Sequence, residues 1–181
     1  MRKTGPGKLK IKWRLGEFLR DTSGAGAVEF AMVAGPFLFT LFAVLEVAII
    51  FFGSSALETG VQEAARTIRT RELQLSGGGL AEFRDRLCDE ASALIACDTR
   101  LNIDVQTYPS FADADLAPPV DADGNPLPGV FMPGGPSQVV VVKAYYVWQV
   151  YTPGLGLMLG NIGSTNSRLL ISTAAFRNEP E

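Results

Sequence analysis

The most apolar part of the chain is Ser23-Gly-Ala-Gly-Ala-Val-Glu-Phe-Ala-Met-Val-Ala-Gly-Pro-Phe-Leu-Phe-Thr-Leu-Phe-Ala-Val-Leu-Glu-Val-Ala-Ile-Ile-Phe-Phe52. Small residues lead into one Glu-Phe pair, and a nearly unbroken apolar run follows. This run is about long enough to cross a hydrocarbon core of roughly 30 Å. A helix pairs every backbone amide internally, as lipid requires, so the sequence predicts a transmembrane helix over residues 25–53. Gly35-Pro36 predicts a weak point or kink near its start.

The two flanks of this helix differ in charge. Residues 1–24 form a basic leader with two acidic residues, Glu17 and Asp21, against seven basic ones, which are Arg2, Lys3, Lys8, Lys10, Lys12, Arg14 and Arg20. The positive-inside rule therefore predicts a cytoplasmic N-terminus and an exported C-terminal part. Subtracting the leader from the 16 basic and 19 acidic residues of the chain leaves nine and seventeen, a net charge of about −8.

Two carboxylates in or beside the apolar run need an explanation. Glu29 lies at the cytoplasmic end, where headgroups alone would accommodate it. Glu46 is deeper, and an unpaired charge at that depth is costly. It is expected to be protonated, turned toward a partner helix, or close to the far interface. The functional interpretation is that both carboxylates pair with a neighbouring subunit, which makes Glu46 a candidate for intramembrane pairing.

The motif Gly24-Ala-Gly-Ala-Val-Glu-Phe-Ala-Met-Val33, followed by a proline and an apolar run, resembles the TadE-like pseudopilins of tight-adherence (Flp-type, type IV-related) pilus systems. In that family a prepilin peptidase of the inner membrane cuts after a glycine five residues before a Glu-Phe or Glu-Tyr pair. The resemblance implies a cut between Gly24 and Ala25, with Glu29 and Phe30 at the fifth and sixth mature positions. A cut after Gly26 fits the spacing less well.

The resemblance continues through residues 56–70 and two later blocks, Tyr145-Tyr-Val-Trp148 and Ala174-Ala-Phe-Arg-Asn178. It implies a single-pass protein of the bacterial inner membrane with a periplasmic C-terminal domain. The implied partners are the prepilin peptidase, other pseudopilins and pilus-assembly proteins of that membrane, and lipid.

Beyond the apolar run, helical periodicity continues. Apolar residues recur every three or four positions at Leu57, Val61, Ala64/Ala65 and Ile68, so an amphipathic extension is predicted over 54–75. The alternative is two helices hinged at Gly53-Ser54-Ser55. Ser76-Gly-Gly-Gly79 is a strong breaker, and a second helix is predicted from about Leu80 to Ala96.

Cys88 and Cys97 are the two cysteines of the chain, and an exported location makes their pairing plausible. On one straight helix they would lie about 13 Å apart, whereas a disulfide tolerates about 7 Å between Cα atoms. Pairing therefore requires a turn near Cys97-Asp98-Thr99. The alternative is two small buried thiols.

Three segments have the pattern of strands: 101–108, which alternates polar and apolar residues, 137–151, which is rich in β-branched and aromatic residues, and 168–176. A long Pro/Gly-rich loop separates the first two, and its contact role is open. A glycine-spaced apolar loop, 152–160, separates the last two, and its leucines are candidates to touch another subunit or the bilayer surface. With the long N-terminal helix, these segments predict a pilin-like α+β fold with a small, largely antiparallel sheet and a periplasmic domain over 80–181.

Several function classes are disfavoured. The negative mature part argues against nucleic-acid binding. The chain has no histidine and no nucleophile or phosphate-loop motif, so no catalytic residue, metal site or cofactor is predicted. The pairs Asp113/Asp115 and Asp121/Asp123 lie in the long loop, where solvated turn residues are the ordinary interpretation.

The sequence thus predicts a minor pseudopilin or pilus-assembly component rather than an enzyme. The alternative is a periplasmic binding or envelope structural protein whose apolar run is an uncleaved anchor or an ordinary signal peptide. Ser54-Ser-Ala56 offers the small residues that signal peptidase prefers.

Overall fold

A computed structural model describes residues 24–97, 99–163 and 165–180. Residues 1–23 of the predicted 1–24 leader, and Asp98 in the predicted turn, lie outside the described residues. The chain divides into two compact units at Thr40 and Leu41. Each unit contains part of the first helix.

Helix α1 (Ala25–Arg69) is 45 residues long and passes without interruption through Pro36 and through the glycine and serines at 53–55. The predicted continuation of the helix is therefore confirmed, the alternative of a hinge at Gly53-Ser54-Ser55 is wrong, and the helix continues past Gly35-Pro36. Thr40 Oγ1 donates to the carbonyl of Pro36 at 2.9 Å. The predicted stripe is confirmed, because buried residues of α1 recur every three or four positions in the second unit. They are Glu46, Ile50, Gly53, Leu57, Gly60, Val61, Ala64, Ala65, Thr67 and Ile68.

The helix ends earlier than the predicted Leu75. Arg71 takes a left-handed conformation (φ 61°), after which a short helix α2 (Glu72–Leu75) begins. The breaker then acts as predicted: Gly77 has φ 72°, a conformation that suits glycine, and Gly78 N–H donates back to the carbonyl of Leu73 at 2.9 Å.

Helix α3 (Leu80–Ala91) starts where predicted but is shorter than predicted. The N–H groups of Leu94 and Ile95 both donate to the carbonyl of Ala91, so the chain turns there. Phe83, Leu87 and Ala91 form its buried stripe. Ile95 remains buried after the turn, whereas Leu80 and Leu94 are partly exposed.

Three antiparallel strands form one sheet in the order β1 (Leu101–Tyr108), β2 (Val139–Gln149) and β3 (Ser167–Arg177). In the central register Val142 lies between Val105 and Ala174. These residues and their alternate neighbours join the apolar stripes of α1 and α3 in one core. The predicted α+β class and the three strands are confirmed.

The later part of the long loop between β1 and β2 runs along the free edge of β1, where Phe131 forms a parallel bridge with Val105. The backbone of Val105 exchanges hydrogen bonds with Val130 and Met132, both at 2.8 Å. Asn178, buried after β3, holds the end of the loop by donating from its side chain to the carbonyls of Pro133 and Gly135. This part of the loop is therefore fixed to β1 and to the end of β3.

Candidate functional site

The glycine of the Gly-x4-Glu-Phe motif lies directly before α1. The carbonyl of Gly24 accepts hydrogen bonds from the N–H groups of Ala27 and Val28 at 3.1 and 3.2 Å. Among the residues that the structure describes, none lies within 4 Å of a Cβ atom added at Gly24 or Gly26. The Gly24–Ala25 peptide bond thus stands at the first turn of a helix, with open space around its small residues.

Glu29 and Phe30 are both exposed, and Phe30 keeps 74% of its surface. Glu29 follows Ala25 by four residues, so both lie on one face of α1. After a cut at Gly24, the new amine and this carboxylate would be one helical turn apart. This part of the helix offers a charged position beside an uncovered aromatic ring.

Most of the apolar side chains of α1 up to Phe52 have no cover in the structure. The helix is long and apolar enough to cross a membrane, and in its most apolar window 17% of residues are buried. This is compatible with a single-pass membrane anchor. The exposed large side chains are Val28, Phe30, Met32, Val33, Phe37, Leu38, Phe39, Leu41, Phe42, Val44, Leu45, Val47, Ile49, Phe51 and Phe52.

Glu46 is the exception in this run, because it is buried against the folded domain. Oε1 accepts the N–H of Tyr151 at 2.5 Å, and Oε2 accepts the N–H of Thr152 at 2.7 Å. Both donors belong to the same chain, whereas the sequence alone directed attention to a neighbouring subunit. Nothing local in the sequence marks two backbone donors more than a hundred residues away as its partners.

An apolar groove lies beside this carboxylate and has a volume of about 340 Å³. Trp148 closes it from the sheet, and its ring packs so closely on α1 that a Cβ atom at Gly53 would lie 2.8 Å from it. The groove is lined by Phe42, Leu45, Glu46, Ile49, Trp148, Tyr151 and Thr152.

Acidic side chains of the long loop accept hydrogen bonds from nearby residues and stabilise its turns. Asp113 accepts from Ser110 Oγ at 2.7 Å, and Asp115 accepts from the N–H of Ala117 at 2.9 Å. Hydrogen bonds from the side chain and backbone of Asn125 lower the pKa of Asp121. Within the described parts of the chain, no three His, Cys, Asp or Glu residues come together in a group that could hold a metal ion.

A polar cluster that sequence reasoning missed lies between the sheet and the long loop. Asp104 and Lys143 face each other across β1 and β2, and both are almost fully buried. Asp104 Oδ1 accepts the N–H of Val130 at 3.0 Å, and Lys143 Nζ donates to the carbonyl of Ala117 at 2.8 Å. Burial, with the charge of Asp104, raises the pKa of the neighbouring Tyr145. The signal in the sequence was Lys143, a charged residue in the mostly apolar strand β2.

Cys88 and Cys97 form a disulfide whose Cα atoms are 6.1 Å apart. The turn after Ala91 makes this possible, since it stops α3 before the two cysteines could separate along one axis. The bond links the end of α3 to the start of the segment that leads into β1.

Residues 24–66 match the family model described as TadE-like protein. The match confirms the resemblance of the N-terminal motif and its apolar run. It ends before the sheet, so the resemblance of the later blocks around Tyr145 and Ala174 stays a prediction. No curated protein and no solved structure matches the chain.

Proposed function

We propose that this protein is a minor pseudopilin, or pilus-assembly component, of a tight-adherence pilus system. The observation that carries the proposal is the family match over residues 24–66, which coincides with an exposed apolar helix beginning at the Gly-x4-Glu-Phe motif. The protein acts as a substrate of the prepilin peptidase and as a structural subunit, and it catalyses no reaction of its own.

In this proposal the basic leader holds the N-terminus in the cytoplasm and α1 spans the inner membrane. The domain after α1 then lies in the periplasm, where the Cys88–Cys97 disulfide is stable. The prepilin peptidase cleaves between Gly24 and Ala25. Small residues and open space on both sides of this bond let an extended backbone enter a protease groove once the first helical turn unwinds.

Cleavage places a new α-amine at Ala25, close to the lipid headgroups. Glu29 then pairs with such an amine on a neighbouring subunit, and Phe30 begins the face along which the helices pack. Pairing an ammonium with a carboxylate reduces the cost of removing both from water. Partners for this contact are other pseudopilins and pilus-assembly proteins of the same membrane.

The alternative of an ordinary signal peptide is disfavoured by the packing of the apolar run. A cut after Ala56 would remove Ile50 and Gly53 from the core. It would also remove Glu46, the acceptor for two backbone N–H groups of the domain. Because the domain uses these residues, the mature protein should retain the run. A plain uncleaved anchor remains as the competing proposal.

A Glu29→Gln variant tests the assembly role. We expect the protein to insert into the membrane at its usual level, while a strain carrying this variant as its sole copy forms few pili. The matched control is Glu58→Gln, the same change at an exposed position of the same helix, and it should leave pili intact. Normal piliation with Glu29→Gln would contradict the proposed role.

A further inference from the structure

The segment between β2 and β3 exposes large apolar side chains at its tip. Tyr151 is 75% exposed, Leu157 88% and Met158 80%. Leu157 and Met158 belong to a short helix α4 (Gly156–Leu159), while Leu155 just before it is buried in the core. The segment is therefore fixed to the core by Leu155, while the side chains of Leu157 and Met158 are exposed.

Both ends of this segment are attached to the apolar part of α1. At the start, the N–H groups of Tyr151 and Thr152 donate to Glu46. At the end, Leu159 lines a shallow groove together with Val47, Ile50 and Phe51. The exposed tip between these ends is thus held beside the stretch of α1 from Glu46 to Phe51.

This stretch of α1 is itself uncovered and apolar beyond Glu46. Val47, Ile49, Phe51 and Phe52 are between 45% and 70% exposed. Phe52 lies six residues after Glu46, or about 9 Å along the axis. If the hydrocarbon boundary follows the exposed apolar surface, Glu46 lies inside it, and the attached segment reaches the acyl–headgroup boundary.

A cation occupies the same surface. Arg168, partly buried, lines the groove of Val47, Phe51 and Leu159, and its guanidinium donates to the carbonyl of Leu159 at 3.0 Å. An arginine whose stem lies along apolar surface can keep its charged end at the level of lipid phosphates. A cation bonded to the backbone of the segment that exposes Leu157 and Met158 is a composition typical of surfaces that lie on a bilayer.

We infer that the 151–160 segment is a second membrane contact, inserting Leu157 and Met158 into the outer leaflet beside α1. The inference rests on the proposed membrane span, because its depth is set by α1. Continuity with the exposed apolar band of α1 identifies lipid as the occupant. The segment would fix the tilt and rotation of the periplasmic domain against the bilayer, with Glu46 joining the two contacts.

The test uses a nitroxide spin label on the full chain in vesicles of phosphatidylcholine and phosphatidylglycerol. Labels are placed by Leu157→Cys, by Phe37→Cys in the span, and by Leu75→Cys, an exposed leucine beyond α1. Labelling without reductant keeps the native disulfide. Oxygen concentrates in lipid and a nickel chelate stays in water, so their relative collision rates report depth. We expect a several-fold higher oxygen-to-nickel ratio at position 157 than at position 75, approaching the ratio at position 37.

The other outcomes are distinguishable. A lipid-like ratio at 37 with a water-like ratio at 157 would overturn the inference and leave the membrane span intact. A water-like ratio at 37 would contradict the span, and the inference would fall with it. Spin–spin broadening at 157 that dilution with unlabelled protein removes would show a second copy of the chain covering the segment, which also overturns the inference.

Discussion

Glu46 shows how a single carboxylate is accommodated in an apolar run. A carboxylate among apolar side chains needs hydrogen-bond donors from the protein. Two consecutive backbone N–H groups, of Tyr151 and Thr152, supply them. The same contact gives a hydrogen-bond acceptor to two backbone N–H groups that follow β2. The carboxylate and the two N–H groups therefore satisfy one another's hydrogen-bonding capacity.

Replacing Glu46 should therefore destabilise the domain. Glu46→Leu leaves both N–H groups unpaired, and we expect a loss of about 3–6 kcal/mol in the free energy of unfolding in detergent, since each of the two bonds to a charged acceptor contributes roughly 1.5–3 kcal/mol. Glu46→Gln keeps one carbonyl oxygen and should cost less. Glu58→Gln, on an exposed face, serves as the control with no measurable change. If Glu46→Leu were as stable as the native protein, the contact of Glu46 with Tyr151 and Thr152 would not stabilise the domain.

Glycine has a packing role at one residue of the same helix. A Cβ atom at Gly60 would lie 2.7 Å from the carbonyl oxygen of Leu87 in α3. The backbone of α3 can therefore approach α1 closely at Gly60, because glycine has no side chain. Gly35, by contrast, has nothing within 4 Å of such an atom.

Gly60→Ala should push α3 away from α1 and cost about 1–3 kcal/mol, the range found for overpacked cores. Gly35→Ala is the matched control, since the same change there meets open space and should leave the unfolding midpoint unchanged or slightly higher. Chemical unfolding followed by circular dichroism measures both. A neutral Gly60→Ala would mean that the two helices are not in tight contact.

Among the helices and strands, the sequence predicted the type of each element better than the residues at which it ends. The apolar stripe and the Ser76–Gly79 breaker located α1 and α3, but Arg71 in a left-handed conformation ended the first helical segment early. Such a conformation in arginine has no local sequence signal. Likewise, α3 ends at Ala91 although its apolar pattern continues to Ile95. The chain turns after Ala91, and Ile95 enters the core from this turn and not from the helix.

The disulfide stabilises this turn by restricting the unfolded chain. It closes a segment with a sequence separation of nine, for which chain entropy predicts about 2–3 kcal/mol. We expect the Cys88→Ala/Cys97→Ala double variant to lose this much in denaturant unfolding while keeping its helical content. Cys88 is half-buried and Cys97 exposed, so lost packing adds little. If the variant matched the oxidised native protein, the bond would have no role in stability.

For the whole molecule, the apolar run has two faces, one buried and one exposed. One carries Glu46, Ile50 and Gly53 into the folded domain, and the other is uncovered. Hydropathy alone predicted the run but could not divide it, because the division depends on contacts with β2 and the segment after it. The same limit applies to the long loop, whose docking through Asp104 and Lys143 requires a register that the sequence does not specify.

The proposed function joins this helix to its motif: a leader is removed, and a subunit with its apolar helix intact remains in the membrane. The most direct measurement is the mass of the N-terminal peptide of the protein extracted from membranes of cells with an active prepilin peptidase. The account predicts a chain that begins at Ala25. A chain that begins at Met1, with the leader still attached, or at Leu57, with the apolar run removed, would contradict it.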